Sequence, residues 1–312
     1  MTEILVGTSG WSYPRGRGRW TGAFYPARPA GGRQRFDELA FYARYFDTVE
    51  VNSSFYRPPT PDTTAQWVER TGPRFRFSLK LYQKFTHPAM YRAAVGEDAA
   101  ITNADVEAFR AALDPVAEAG KLAALLAQFP PSFKADARSF DSLARLLDAF
   151  ARYPIAVELR HRSWSDAAGD VTALLAAHHA TWVQIDEPKF RFSIRQDQRT
   201  DLPRFSYVRL HGRNAAAWWR HDAAEDRYDY LYTEHELAPI HRSITAGSDP
   251  SGRHYVYFNN HFSAKAVVNA VQLRRRLGQP ITDPLPDDLI ARYPELKVEA
   301  RERADDAEDP RP

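Results

Sequence analysis

Eight short apolar runs punctuate the chain, at residues 4–8, 48–52, 75–80, 122–128, 155–160, 181–186, 206–211 and 255–259, each bounded by turn residues. Runs of this length predict β-strands. Between most of them the apolar positions recur at helical spacing, at residues 36–45, 63–70, 105–117, 139–151, 167–178 and 264–277. A connection that contains a helix is a crossover between parallel strands, so the sheet is expected to be mainly parallel.

Alternation within the strands separates an open sheet from a closed one. Val49 and Val51 alternate with Glu50 and Asn52, Phe77 and Leu79 with Ser78 and Lys80, Val157 and Leu159 with Glu158 and Arg160. The same pattern sets Val183 and Ile185 against Gln184 and Asp186, Val208 and Leu210 against Arg209 and His211, and Val256 and Phe258 against Tyr257 and Asn259. An open doubly wound sheet has helices on both faces and almost continuously apolar strands. Helices on one face and polar groups on the other, gathered near each strand's C-terminal end, fit a closed (β/α)8 TIM-like barrel with its active face at that end. Long connections at residues 9–35, 81–102, 187–205 and 212–231 all fall on that side, where long loops build pocket walls. A single barrel domain is expected over residues 1–278. Residues 279–312 read as a proline-containing extension whose acidic end lacks periodicity and is expected to be disordered.

Composition removes whole chemistries. The chain has no cysteine, so disulfides, thiolate metal ligands and a catalytic thiol are excluded. Its longest aliphatic run, Leu122 to Ala127, is far short of the ~20 residues that span a bilayer, and residues 1–10 lack a basic start followed by an apolar core. A cytoplasmic protein without a membrane partner is expected. Lysine and arginine total 42 against 40 acids, but the residues from Gln279 onward hold ten acids and five bases, which leaves the barrel region basic by seven. Arg15, Arg17, Arg19, Arg28, Arg33 and Arg35 occur without an acid between residues 12 and 36, interleaved with Tyr13, Trp20, Phe24 and Tyr25. Arginine beside aromatic faces suits phosphate or nucleic-acid contact, and a solvated loop accounts for the same residues equally well.

Projected onto a barrel, the uppermost inward positions are Asn52, Lys80, Gln128, Arg160, Asp186, His211 and Asn259, with Glu50, Ser78, Glu158, Gln184, Arg209 and Tyr257 beneath them. Three carboxylates (Glu50, Glu158, Asp186) then face three cations (Lys80, Arg160, Arg209). Mutual ion pairing could explain them, since breaking a buried pair costs about 3–5 kcal/mol. A barrel that needed only stability would fill these positions with aliphatic side chains, however, so their polarity points to a ligand. His211 is the candidate acid/base group because imidazole titrates near neutrality, with Glu158 placed to fix its tautomer. Glu50 and Glu158 could instead form an acid and base pair, and Asp186 completes the catalytic set. Arg160, Arg209 and Arg213 have the fork that binds phosphate or carboxylate, with Asn52, Lys80, Gln128 and Asn259 beside them. Lys80 could form a Schiff base if its pKa were depressed, although no second feature of the sequence supports this. Trp11 and Tyr56, just beyond strand ends, could stack on a planar group or simply pack the loops. Glu50, Glu158, Asp186, His211 and His261 are ligand types for a divalent metal, opposed by the nearby cations, and no other cofactor motif occurs.

Several ordered blocks resemble a known family. They are the stretch from Gly7 to Tyr13 followed by Trp20, Gly22 and Phe24 to Pro26; Thr48 to Tyr56; Gln128 to Phe133; Glu158 to Trp164; Arg209 to Arg213; and Tyr257 to Asn260. These are similar to the signature blocks of domain of unknown function 72, the YecE-like proteins, over residues 4–277. The resemblance implies a TIM-like barrel and brings no established reaction; the arginines around Arg15 to Arg19 lengthen the first loop beyond the family's usual one. The chemistry leaves three readings: an enzyme, a hydrolase or isomerase, acting on an anionic, phosphorylated or nucleotide-like substrate; a divalent-metal-dependent nuclease or isomerase; or a non-catalytic module that binds nucleic acid or phosphate. Oligomeric state is left open.

Overall fold

The computed structural model describes residues 3–27, 36–96, 100–196, 205–218, 223–246, 252–279 and 281–297. Its sheet is entirely parallel, with strand segments β1 (Glu3–Ser9), β2 (Thr48–Val51), β3 (Arg76–Lys80), β4 (Leu122–Gln128), β5 (Ile155–Glu158), β6 (Thr181–Trp182), β7 (Gln184–Asp186), β8 (Phe205–Leu210) and β9 (Arg253–Phe258). They lie in the order β6-β5-β4-β3-β2-β1-β9-β8-β7. Only Val183 separates β6 from β7, so the two segments at opposite ends of that order are one strand and the sheet closes on itself. The result is the expected eight-stranded TIM-like barrel.

The break at Val183 has a local cause. Val183 still donates its amide to the Val157 carbonyl (2.9 Å), but beyond it β5 and β7 part. The side-chain amide of Gln196 fills the gap, donating to the Val183 carbonyl (2.6 Å) and accepting from the Ile185 amide (3.0 Å). Gln196 thus supplies the donor and the acceptor that a neighbouring strand would have offered, which leaves both buried backbone groups satisfied.

Helices cover the barrel at the six expected places: Glu38–Tyr42, Pro61–Glu69, Asn103–Glu118, Ala137–Ala149, Ala168–Ala177 and Lys265–Arg276. Their starts are set by side-chain caps, as at Asp37 and Asp136, and by the reciprocal pair Thr102 and Asp105. The long third connection carries two short helices, Gln83–Thr86 and Pro88–Val95. Glu234–Ala246 forms a further helix despite Pro239. Gln279 donates to the Ile4 carbonyl (2.8 Å), Tyr45 to that of Pro284 (3.0 Å), and Leu289 and Leu296 are buried, so the chain beyond residue 278 packs onto the barrel as far as it is described. The acidic end lies outside the described residues.

Parallel partners in register point to the same side of the sheet, so the pairing fixes which residues face inward. Ser9 pairs with Glu50, Glu50 with Ser78, Gln128 with Glu158, and Arg209 with Tyr257. Five of the six alternating strands therefore have the expected phase. The sixth does not. Ile185 pairs with the inward Arg209, while Gln184 and Asp186 pair with the outward Val208 and Leu210. The outer face of this strand lines a cavity of about 630 Å³ together with Phe190, Ile194 and, from the helix Glu234–Ala246, Ile240 and Ile244. Polar side chains are tolerated there, so the polar phase of this strand is its outer one.

Below the ionisable groups the interior is asymmetric in size. Strands β8 and β9 send in Tyr207, Tyr255 and Tyr257, whereas β1, β4 and β5 contribute Gly7, Ala124 and Ala156. Close packing demands that large groups meet small ones. Gly7 has a further reason to be small, because a Cβ there would lie 2.2 Å from the backbone carbonyl oxygen of Thr48 on the neighbouring strand.

Candidate functional site

Arg209 is the centre of the barrel mouth, and it is 2% exposed. Its guanidinium donates to both oxygens of Glu50 (2.9 and 2.7 Å) and to Glu158 (2.5 Å), and the Tyr207 hydroxyl adds a further bond to Glu50 (2.8 Å). Arg160 donates to the other oxygen of Glu158 (2.6 Å). Burial alone would raise the Glu158 carboxyl, but Arg160 and Arg209 outweigh it and hold the pKa well below the usual carboxylate range. Arg209 is in turn held firmly charged by Glu158 and Glu50, against the opposing effect of burial. These groups form a fixed frame of alternating charge in which Arg209 is fully committed.

His211 sits on this frame through Arg160, whose Nη2 is 3.2 Å from its Nε2, and through the Asn259 side-chain amide, 2.9 Å from its Nδ1. The amide nitrogen of Asn259 is the atom that faces Nδ1, so Nδ1 accepts, while Nε2 faces both Arg160 and, at 3.8 Å, Glu158 Oε1. Burial, then Arg160 and Arg209, push the imidazole down to about 3. The expectation that His211 titrates near neutrality is therefore corrected: burial and the two neighbouring arginines outweigh Glu158, and the ring is a neutral hydrogen-bonding group at physiological pH. The turn that follows requires Gly212, which has φ of 88° and whose Cβ would lie 2.7 Å from Tyr230 Cβ.

Two groups of the mouth have pKa values displaced towards neutrality. Lys80 donates to Gln128 Oε1 (2.5 Å) and lies 4.0 Å from the centre of the Phe55 ring. Burial, then Arg209, push its amine down to about 7. Glu187 is 6% exposed, with an oxygen 3.6 Å from Arg160 Nη1, and burial pushes its carboxyl up. Strand alternation in the sequence does not single out Glu187. With the phase of the sixth strand corrected, it is the next inward residue after Ile185 and takes the place assigned to Asp186. His87, whose ring meets Phe55 edge to face at 4.9 Å, is not singled out either; burial, then Lys80 and Arg160, hold it near 3. Its loop position carries no strand alternation that would have revealed it.

The remaining expectations divide. Asn52 stands at the top of β2, and its Oδ1 has no protein hydrogen-bond partner; the same is true of Ser9 Oγ at the top of β1. Asp186 is removed from the catalytic set: it accepts two bonds from Arg213 (2.9 and 2.7 Å) and one from Tyr232 (2.8 Å), outside the barrel wall. Arg213 also reaches Glu236 (3.3 Å), so it ties the sixth strand to helix Glu234–Ala246 instead of lining the mouth. Trp11 packs edge-on against Trp67 at 5.5 Å, and Tyr56, 66% exposed, meets Phe55. His261 is enclosed between Tyr13 (4.3 Å, stacked) and Tyr228 (4.8 Å), and burial lowers its pKa to about 3. Among the described residues no group of three or more Asp, Glu and His side chains is arranged to hold a metal ion. In the arginine loop, Arg17 is bound to both oxygens of Asp226 (2.6 and 2.7 Å), Arg15 and Arg19 are exposed, and Arg28, Arg33 and Arg35 lie outside the described residues. No described helix is long and apolar enough to cross a membrane.

Known proteins share this architecture. A DUF72 family protein of Enterococcus faecalis superimposes with a TM-score of 0.76 at 24% identity, covering 91% of this chain and 100% of its own. One from Thermotoga maritima does so with a TM-score of 0.72 at 31% identity, covering 88% and 99%. In sequence, the UPF0759 protein YunF of Bacillus subtilis is 27% identical over 277 residues, 86% of this chain and 93% of that one. The family described as "Protein of unknown function DUF72" matches residues 5–290. The chain belongs to the DUF72 family.

Proposed function

We propose that this barrel is an enzyme that moves protons on a small anionic substrate held at its C-terminal mouth. Arg160 contacts the anion, Lys80 and Glu187 exchange protons with it, and Glu50, Arg209 and Glu158 keep the surrounding charge fixed. The observation that carries this reading is the concentration of buried ionisable groups around Arg160 and Lys80, bordered by Ser9 Oγ and Asn52 Oδ1 without protein partners. A lysine amine and a glutamic acid both displaced towards pH 7 suit general acid and base work, in a hydrolase or an isomerase alike. Arg160 is preferred to Arg209 as the anion contact because its side chain is 14% exposed against 2%.

Calorimetric titration with inorganic phosphate and small carboxylates tests the reading. Arg160→Gln should weaken the anion that binds by about tenfold or more, the loss of one charge-assisted contact, while Arg15→Gln/Arg19→Gln leaves affinity unchanged. Equal affinity of the Arg160 variant and the wild type, or binding of no anion, overturns the assignment.

A further inference from the structure

Lys80 differs from the other cations of the mouth in what it lacks. Both nearby carboxylates are committed elsewhere, Glu50 to Arg209 and Tyr207, and Glu158 to Arg160 and Arg209. The Lys80 nitrogen meets an uncharged amide oxygen, that of Gln128, and the face of Phe55. Two permanent cations, Arg209 and Arg160, stand close enough to disfavour a third charge. It also lies at the C-terminal end of β3, facing inward, where a barrel presents reacting groups to substrate. A mostly buried amine with no carboxylate partner among the described residues is the arrangement that keeps a lysine nucleophilic.

We infer that Lys80 is a carbonyl-reactive nucleophile that forms an imine with a small aldehyde or 2-oxo acid. This deepens the proposed function and rests on it for the carboxylate preference alone. The amine nitrogen adds to the carbonyl carbon, and the π pair of the carbonyl moves to its oxygen, which takes up a proton. The nitrogen of the resulting carbinolamine then loses a proton, and its lone pair expels the hydroxyl, protonated as it leaves, as water. Amine, carbonyl and one proton thereby become a protonated imine and one water, with no change of oxidation state; loss of the nitrogen-bound proton returns that proton and leaves the neutral imine. Glu187, whose carboxyl is held towards its protonated form, is the group of the mouth suited to carry these protons. In a 2-oxo acid the carboxylate would meet Arg160, and Gln128 would orient the amine.

The experiment is reductive trapping. The full-length protein is incubated with glyoxylate and sodium cyanoborohydride between pH 6 and 9, and the modified lysines are mapped by peptide mass spectrometry. The chain has seven lysines, so each serves as a control for the others. At pH 7 an amine titrating at about 7 is half neutral, whereas an ordinary lysine is neutral in roughly one molecule in 3,000. Lys80 should therefore carry about tenfold or more the label of any other lysine at pH 7, and its labelling should level off above that pH. Lys80→Met should remove this early label. Labelling confined to exposed lysines, or Lys80 labelling that keeps rising to pH 9 like theirs, overturns the inference, and the mapping of the wild type decides this even if the variant fails to fold. Propionaldehyde separates the two proposals. Equal labelling of Lys80 by glyoxylate and propionaldehyde, unchanged in Arg160→Gln, would uphold the nucleophile and refute the anion site. Phosphate binding that depends on Arg160, without trapping at Lys80, would refute the nucleophile and leave the anion site standing.

Discussion

Replacing Arg209 by methionine is the sharpest test of the charge frame. The substitution keeps much of the side-chain volume and removes three hydrogen bonds, two to Glu50 and one to Glu158. Glu50 would keep Tyr207, and Glu158 would keep Arg160 with His211 at 3.8 Å. Both carboxylates are fully buried, so the cost should approach that of an orphaned buried charge, about 3–5 kcal/mol at pH 8. The dependence on pH is specific. In the wild type the Glu158 pKa lies below its unfolded value, so its contribution is present above about pH 4.5 and is lost as the solution becomes more acid. Without Arg209 the pair should have at least one carboxyl raised above its unfolded value, whose contribution is present in acid and lost as pH rises. The gap between the two proteins should therefore widen from about pH 4.5 towards pH 7 and then level. Urea denaturation of both at pH 5 and pH 8, with Glu50→Gln/Arg209→Met as the partial rescue, measures it. A gap below about 1 kcal/mol at pH 8, or one that does not grow with pH, would refute the picture of a buried, mutually dependent frame.

Two further predictions concern the neighbouring elements. Lys80 has a folded pKa of about 7, below its unfolded value, so the wild type should lose up to about 5 kcal/mol of stability as pH falls from about 10.5 to 7, a slope that Lys80→Met should remove when both are compared by urea denaturation. Gln196→Ala should leave the Val183 carbonyl and the Ile185 amide without partners, costing about 1–3 kcal/mol and exposing the Ile185 amide to faster hydrogen exchange, read by NMR; protection equal to the wild type would show that the side chain does not hold the seam.

The barrel itself was legible because its strands alternate and its helices intervene. Those two periodicities are local properties of the chain, and they located Glu50, Lys80, Glu158, Arg160, Arg209 and His211 on one face. The phase of a strand is legible only if its outer side is apolar. Residues 181–186 violate that condition, since Gln184 and Asp186 face outward into a cavity, and the rule then chose Asp186 in place of Glu187. Pro239 concealed a helix that forms around it. The protonation behaviour of the mouth was not legible at all. His211 and Lys80 exchange the roles their free side chains would suggest, because burial, and then the two arginines beside them, disfavour a further positive charge. That effect depends on which groups meet across the barrel, and the sequence separation between Lys80 and Arg209 contains no trace of it.

The uneven filling of the barrel interior bears on how such a protein can change through descent. Tyr207, Tyr255 and Tyr257 face inward from two strands and Gly7, Ala124 and Ala156 from three others, so the interior is one enclosed volume filled by residues far apart in sequence. A larger residue at the fully buried Ala124 overpacks that volume unless a neighbouring inward side chain has shortened first, whereas shortening first leaves a void. Lineages of this barrel can therefore redistribute bulk within the interior along a preferred order of substitutions.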